Sequence, residues 1–175
     1  MKTTLRQILL TALILLIVFT GVQFTLQSFK VEGASMEPSF SDRQYLLVDK
    51  LTYHFRSPNK GDVIVFHNPK LPSQLYIKRI IGLPGEQVEI REGKVYIDGK
   101  ELEETPDFPQ IPYSNNYSVT VPPDRYFVLG DNRNHSSDSR SFGPIPKEDI
   151  VGKVWLSYWP PSEWGLSPNY SATLK

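Results

Sequence analysis

The chain opens with one long apolar stretch and then breaks into short apolar runs separated by turns. Residues 7 to 29 hold no Asp, Glu, Lys or Arg, and their centre reads Ile8-Leu9-Leu10-Thr11-Ala12-Leu13-Ile14-Leu15-Leu16-Ile17-Val18-Phe19. A helix of about 20 residues, rising about 1.5 Å per residue, crosses a hydrocarbon layer of about 30 Å. The stretch therefore predicts a membrane-spanning helix. Lys2 and Arg6 precede it and favour a cytoplasmic N-terminus, although Lys30 follows closely. A cleaved leader would carry an Ala-x-Ala-like pattern of small residues after the apolar core. Thr20-Gly21-Val22-Gln23-Phe24 fits that poorly, so the stretch is read as a retained anchor. A buried core helix is disfavoured by so long an uncharged run.

From Phe29 onward the period shortens to that of strands. Candidate strands cover residues 45 to 48, 62 to 66, 74 to 82, 88 to 91, 94 to 97, 119 to 121, 125 to 129 and 150 to 156. Asn59-Lys60-Gly61 and Leu83-Pro84-Gly85 mark turns, Glu92-Gly93 closes a short hairpin, and Asp98-Gly99 marks a second turn. Residues 102 to 112 contain Pro106, Pro109 and Pro112 and read as an irregular loop. No periodic pattern follows Trp159. Strands succeed one another without helices between them, which predicts a mainly β protein with antiparallel sheets. The domain reading is residues 1–28 as cytoplasmic N-terminus and anchor, and 29–175 as an extracytoplasmic β-rich domain.

Composition narrows the function classes. The 175 residues are enough for one domain with a core, and 19 Lys and Arg balance 19 Asp and Glu. No basic run points to nucleic acid. Cysteine is absent, which excludes disulfides, a thiol nucleophile and thiolate metal sites.

Candidate chemistry centres on Glu32-Gly33-Ala34-Ser35-Met36-Glu37-Pro38, just after the apolar stretch. Gly33 permits a close or left-handed backbone and Pro38 fixes the turn that follows, a setting in which backbone N–H groups can face a developing oxyanion. A Ser-His-Asp elbow would need Gly-x-Ser-x-Gly between strand and helix; here Glu37 stands at the second glycine. The odder residue is Lys78, in Leu75-Tyr76-Ile77-Lys78-Arg79-Ile80-Ile81. Strict alternation puts Tyr76, Lys78 and Ile80 on one face and Ile77, Arg79 and Ile81 on the other. Two readings stand. Both cations snorkel to water from an edge strand, or Lys78 is buried, loses proton affinity and serves as a general base to a serine.

The polar run from Gly130 to Arg140 packs Asp131, Arg133, Asp138 and Arg140 among Asn132, Asn134, Ser136, Ser137 and Ser139. It reads as a solvated loop of side-chain caps, or as a loop pinned by Asp–Arg pairs that brings a serine hydroxyl to the lysine. A metal site is disfavoured: beyond His135 only His54 and His67 remain, without a ligand pattern.

Taken in order, these blocks resemble the type I signal peptidases, membrane-anchored Ser-Lys endopeptidases. The resemblance is carried by the anchor, Gly33-Ala34-Ser35-Met36-Glu37-Pro38-Ser39, residues 60 to 66, Tyr76-Ile77-Lys78-Arg79-Ile80-Ile81-Gly82-Leu83-Pro84-Gly85-Glu86, and Gly130-Asp131-Asn132-Arg133 through Ser136-x-Asp138-Ser139-Arg140. It implies Ser35 as nucleophile, Lys78 as general base, Ser136 as the serine that orients the lysine, and Asp138 with Arg140 as a bracing pair beside Arg79. It implies Ser35 N–H at the oxyanion. Some members add a serine hydroxyl at the position of Gly33, so the second donor here is open. Arg43-Gln44 replaces a Gly-Asp common in the turn before the next strand. The implied fold is mostly antiparallel β with a shallow groove, in which Phe29, Val31, Met36, Phe40, Tyr76 and Ile77 line pockets for small side chains. The implied partners are preproteins bearing signal peptides and the lipid bilayer, with cleavage after Ala-x-Ala and with no metal or other cofactor. Two rivals differ in class. A self-cleaving Ser-Lys repressor would carry a DNA-binding domain instead of an anchor. A membrane-tethered β-rich binding or assembly module would lack Ser35 or Lys78, and both are present.

Overall fold

The computed structural model describes residues 2–105, 108, 116–167 and 171–174. Helix α1 (Lys2–Thr25) carries the apolar stretch. Its segment Arg6–Thr25 is long and apolar enough to cross a membrane and buries none of its surface against the rest of the protein. No linker follows it. Strand β1 (Leu26–Lys30) starts at the next residue.

The chain continues through β2 (Tyr45–Asp49), the single-turn helix α2 (Thr52–Phe55), β3 (Val63–Asn68), β4 (Leu71–Gly82), β5 (Gln87–Arg91), β6 (Lys94–Ile97), β7 (Lys100–Thr105), β8 (Tyr117–Thr120) and β9 (Arg125–Leu129). It ends with α3 (Ser139–Phe142), β10 (Ile145–Pro146), β11 (Ile150–Trp159), β12 (Gly165–Leu166) and β13 (Ser171–Leu174). Among the described residues these strands form two sheets. One runs β1-β2-β11-β3-β4-β9-β10, with β12 beside β11, and the other runs β13-β7-β6-β5-β8. Every pairing is antiparallel, so the chain is a mainly β protein preceded by an apolar helix.

Strand β4 ties the layers together. Ile77 packs with Val31, Met36, Phe40 and Val65. Ile80 joins Ile64, Phe66 and Val128. Ile81 joins the cluster that the second sheet buries, with Val88, Ile90, Ile97 and Phe127. β3 pairs along most of β4, whereas β9 begins to pair only at Arg79. The earlier half of β4 therefore keeps one edge free. It also extends further back than residue 74, the start expected from sequence. Pro72 obscured that extension, because proline has no N–H for a ladder. The register shift between His67 and Asn68 leaves it in a bulge that needs none.

One expectation is corrected. β7 carries the chain in strand to Thr105, so the loop expected from Leu102 starts later. Pro106, Pro109 and Pro112 lie outside the described residues. The end after Trp159 supplies β12 and β13, and β13 pairs with β7. Neither segment shows a clear alternation, because the β7–β13 and β11–β12 pairings are made by backbone bonds, which leave no hydrophobic signature.

Arg43 departs most from local preference. It sits at φ 65°, where a Cβ is strained and glycine is not, while its N–H donates to Val31 O at 2.9 Å. Arg43→Gly is expected to stabilise the protein by about 1 kcal/mol and raise the melting temperature by about 2–4 °C. Thermal unfolding in detergent checks this.

Candidate active site

The loop between β1 and β2 carries Ser35 and is fixed from several sides. Gly33 sits at φ 85° and its N–H donates to Asp42 Oδ1 at 2.8 Å. Met36 and Phe40, at 0% and 2% exposure, anchor the loop in the core. Asn132 closes over it from the 130–140 loop: its backbone N–H donates to Ser35 O at 3.1 Å and its Nδ2 to Ala34 O at 3.1 Å.

Lys78 comes from β4 on the face expected from alternation. Its side chain is 4% exposed, so it does not snorkel. Nζ donates to Ser35 Oγ at 2.7 Å and to Ile77 O at 2.7 Å, and it lies 5.4 Å from the centre of the Tyr76 ring. Burial lowers its pKa from 10.5 to about 8, while the charges of Asp138 and Asp131 pull the other way. A serine hydroxyl therefore meets an amine that is part-neutral near physiological pH.

The two carboxylates are each held by an arginine. Arg79, on the opposite face of β4 and 1% exposed, donates Nε to Asp131 Oδ1 at 2.8 Å and Nη2 to Asp131 Oδ2 at 2.6 Å. Its Nη1 donates to Gly61 O at 3.0 Å, and its Nη2 to Ser39 Oγ at 3.3 Å. Asp138 takes Arg140 Nε at 2.8 Å and Nη2 at 2.7 Å and accepts the Gly130 N–H at 3.1 Å. The Asp138–Arg140 pair is internal to the loop, as its alternation suggested. Asp131 instead pairs with β4, and Arg133 reaches across to Glu104 of β7 at 2.6 Å.

Ser136 Oγ is buried and has no hydrogen-bond partner among the described residues. It packs against Gly130. A Cβ there would come within 2.2 Å of Ser136 Oγ and 2.5 Å of Ser35 O, so glycine is what lets the two loops touch. Asn132 and Gly130 belong to the Gly130-Asp131-Asn132-Arg133 block singled out in the sequence, but no role was read for either. Their place at the start of a polar run that leaves the buried strand β9 does not reveal their contacts.

Beside Ser35 and Lys78 opens a groove of about 650 Å³ lined by Phe29, Tyr76, Ile77, Leu75, Glu32 and Ser137 among others. Of the expected pocket residues, Phe29, Tyr76 and Ile77 face it. Val31, Met36 and Phe40 are 1%, 0% and 2% exposed; they are core residues behind the groove, because the loop's apolar side chains turn inward to hold it. Among the described residues, no three His, Cys, Asp or Glu side chains gather where they could hold a metal ion.

A hydroxyl against a buried amine, in a groove flanked by free strand edges, is equipment for cutting an extended peptide. Residues 4–159 match the family of signal peptidases, peptidase S26. The chain is 38% identical over 170 residues to the probable signal peptidase I-2 of Synechocystis, across 93% of this chain and 75% of that protein. It is 34% identical over 185 residues to signal peptidase IB of Staphylococcus aureus, across 96% of each. A solved signal peptidase I from Enterococcus faecalis is 36% identical, with a TM-score of 0.49 over 56% of this chain and 97% of that one. The chain belongs to the signal peptidase family, peptidase S26.

Holding Lys78 at about 8 instead of 10.5 disfavours folding by about 3 kcal/mol, at about 1.4 kcal/mol per tenfold of proton affinity. The unfolded amine is the better proton acceptor. The cost is therefore full below pH 8 and fades as pH rises to 10.5. Lys78→Met is expected to be more stable than the parent by up to about 3 kcal/mol at pH 7, with the gap closing above pH 10. Denaturant unfolding at several pH values measures it.

Proposed function

We propose that this chain is a membrane-anchored serine endopeptidase that removes signal peptides from exported preproteins, with Ser35 as nucleophile and Lys78 as general base. The observation that carries the reading is the 2.7 Å contact between Lys78 Nζ and Ser35 Oγ, made by an amine whose pKa burial lowers to about 8.

A neutral Lys78 keeps an N–H on Ile77 O and turns its lone pair to the Ser35 hydroxyl. Ser35 Oγ attacks the scissile carbonyl as its proton passes to Nζ, and the Ser35 N–H meets the oxyanion. The ammonium then protonates the leaving amine. A water then gives a proton to the regenerated amine and attacks the acyl-enzyme; the bond from the acyl carbon to Ser35 Oγ breaks, and the ammonium returns the proton to Oγ. Ser136, whose Oγ is buried and has no hydrogen-bond partner among the described residues, holds a hydroxyl in reserve to steady the amine as it takes and returns the proton. Asp138 with Arg140, and Arg79 with Asp131, brace the loop that carries it.

Substrate lies extended in the groove, bonded along the free edges of β1 and β4. Phe29, Tyr76 and Ile77 narrow the pockets, which favours small side chains and hence cleavage after Ala-x-Ala. Helix α1 spans the bilayer with its N-terminus in the cytoplasm. Residues 29–175 form the extracytoplasmic domain, to which β1 joins the anchor directly. No metal takes part.

The test is to incubate detergent-solubilised protein with a precursor carrying an Ala-x-Ala site and to sequence the new N-terminus. Wild type is expected to cut after the last alanine, and Ser35→Ala and Lys78→Met to lose at least about 10³-fold in kcat/KM while staying folded. For wild type, kcat/KM should rise with pH to a plateau above about 8, where Lys78 is neutral, and should be unchanged by EDTA. Normal turnover by either variant removes the dyad. No cleavage by folded wild type in lipid favours a tethered binding module instead.

A further inference from the structure

The loop bearing Ser35 continues the β1–β2 ladder past its last regular pair, Lys30 with Tyr45. Val31 N–H donates to Gln44 O at 2.8 Å, and Val31 O accepts from Arg43 N–H at 2.9 Å. In a regular antiparallel ladder the next hydrogen-bonded rung would join the N–H of residue 33 to the carbonyl of residue 42. The left-handed turn at Arg43 (φ 65°) breaks the regular path, and that rung does not form. In its place, Asp42 Oδ1 accepts the Gly33 N–H at 2.8 Å. A side-chain oxygen stands in for the missing backbone acceptor.

This substitution bears on the site. Gly33 has no side-chain donor, and its N–H is occupied by Asp42, so it is not free to face an oxyanion. One residue on, the Ala34 and Ser35 carbonyls are held from the other side by Asn132. Between these anchors, the N–H groups of Ala34 and Ser35 have no partner among the described residues. The Gly33 peptide is the last fixed point before them, and its orientation sets theirs.

We propose that Asp42 is a positioning residue for peptide cleavage: its carboxylate holds the Gly33 N–H and so aims the free Ala34 and Ser35 N–H groups at the oxyanion. The inference rests on the reading of this chain as a serine peptidase. The Asp42 carboxylate bonds to the Gly33 N–H and, among the described residues, makes no hydrogen bond to Ser35. Its nearby cation, Arg43, lies 3.5 Å away with its own side chain 83% exposed, so the acceptor oxygen matters here and the surface ion pair does not.

Asp42→Ala and Asp42→Asn separate the two contributions, because asparagine keeps an Oδ1 acceptor without the charge. In the full chain in micelles, Asp42→Ala is expected to lower kcat about tenfold, the worth of one well-placed hydrogen bond, with KM within twofold of wild type. Asp42→Asn should recover to within about threefold. Exchange of the Gly33 amide proton, followed by NMR, should quicken at least about tenfold in Asp42→Ala and stay near wild type in Asp42→Asn. A kcat for Asp42→Ala within twofold of wild type overturns the proposal, as does an asparagine variant as slow as alanine or a Gly33 amide that exchanges alike in all three. If those results come from a wild type that cleaves and a Ser35→Ala that does not, the peptidase reading survives and only the role of Asp42 falls. A folded wild type that cleaves nothing overturns the peptidase reading and the role together.

Discussion

An amine out of water beside a serine hydroxyl is the constraint on which this structure turns. Lys78 is 4% exposed, and among the described residues no carboxylate pairs with it at contact distance. Its bonds go to Ser35 Oγ and to a carbonyl. Two carboxylates, those of Asp138 and Asp131, act on it from further off and favour its charged form. Each is engaged in two bonds by an arginine. Desolvation outweighs their attraction, so the amine stays weakly basic. The Asp–Arg pairs hold the 130–140 loop in place.

Rigidity of β4 makes that balance possible. The strand places Ile77, Ile80 and Ile81 in three separate core clusters and alternates Lys78 and Arg79 to opposite faces. One cation is thereby delivered to Ser35 and the other to Asp131. β9 pairs with the later half of the strand, which leaves the earlier half free beside the groove. Packing, buried amine and free edge are thus supplied by one element, and a slip of one residue in its register would exchange the roles of its two faces.

What could be read from the sequence follows from which forces leave a local mark. The apolar run of α1 and the alternation through 74 to 82 are one-dimensional patterns, and both elements are where they point. The two faces of β4 were also legible, but whether Lys78 was buried was not. Burial depends on loops 43 residues before it, at Ser35, and 52 after it, at Gly130. Asn132 was hidden for the same reason: an Asn in a polar run looks like any turn residue until its bonds to Ala34 and Ser35 are seen. β13 and the end of β7 left no trace because their pairing is backbone to backbone. Val31, Met36 and Phe40 have the character of pocket residues, yet their side chains turn inward, and residue type alone does not tell a groove's lining from the core behind it.

The central claim is that burial makes Lys78 a weak base in the resting protein, and its ammonium resonance reports that directly. Lysine side-chain nitrogens, labelled with ¹⁵N in the micelle-embedded full chain, can be followed by NMR from pH 6 to 11, with Lys78→Met giving the assignment. The account predicts one lysine that titrates near pH 8, well ahead of the others, and is missing in Lys78→Met. A Lys78 that holds its proton to about pH 10.4, like a lysine in water, would contradict it.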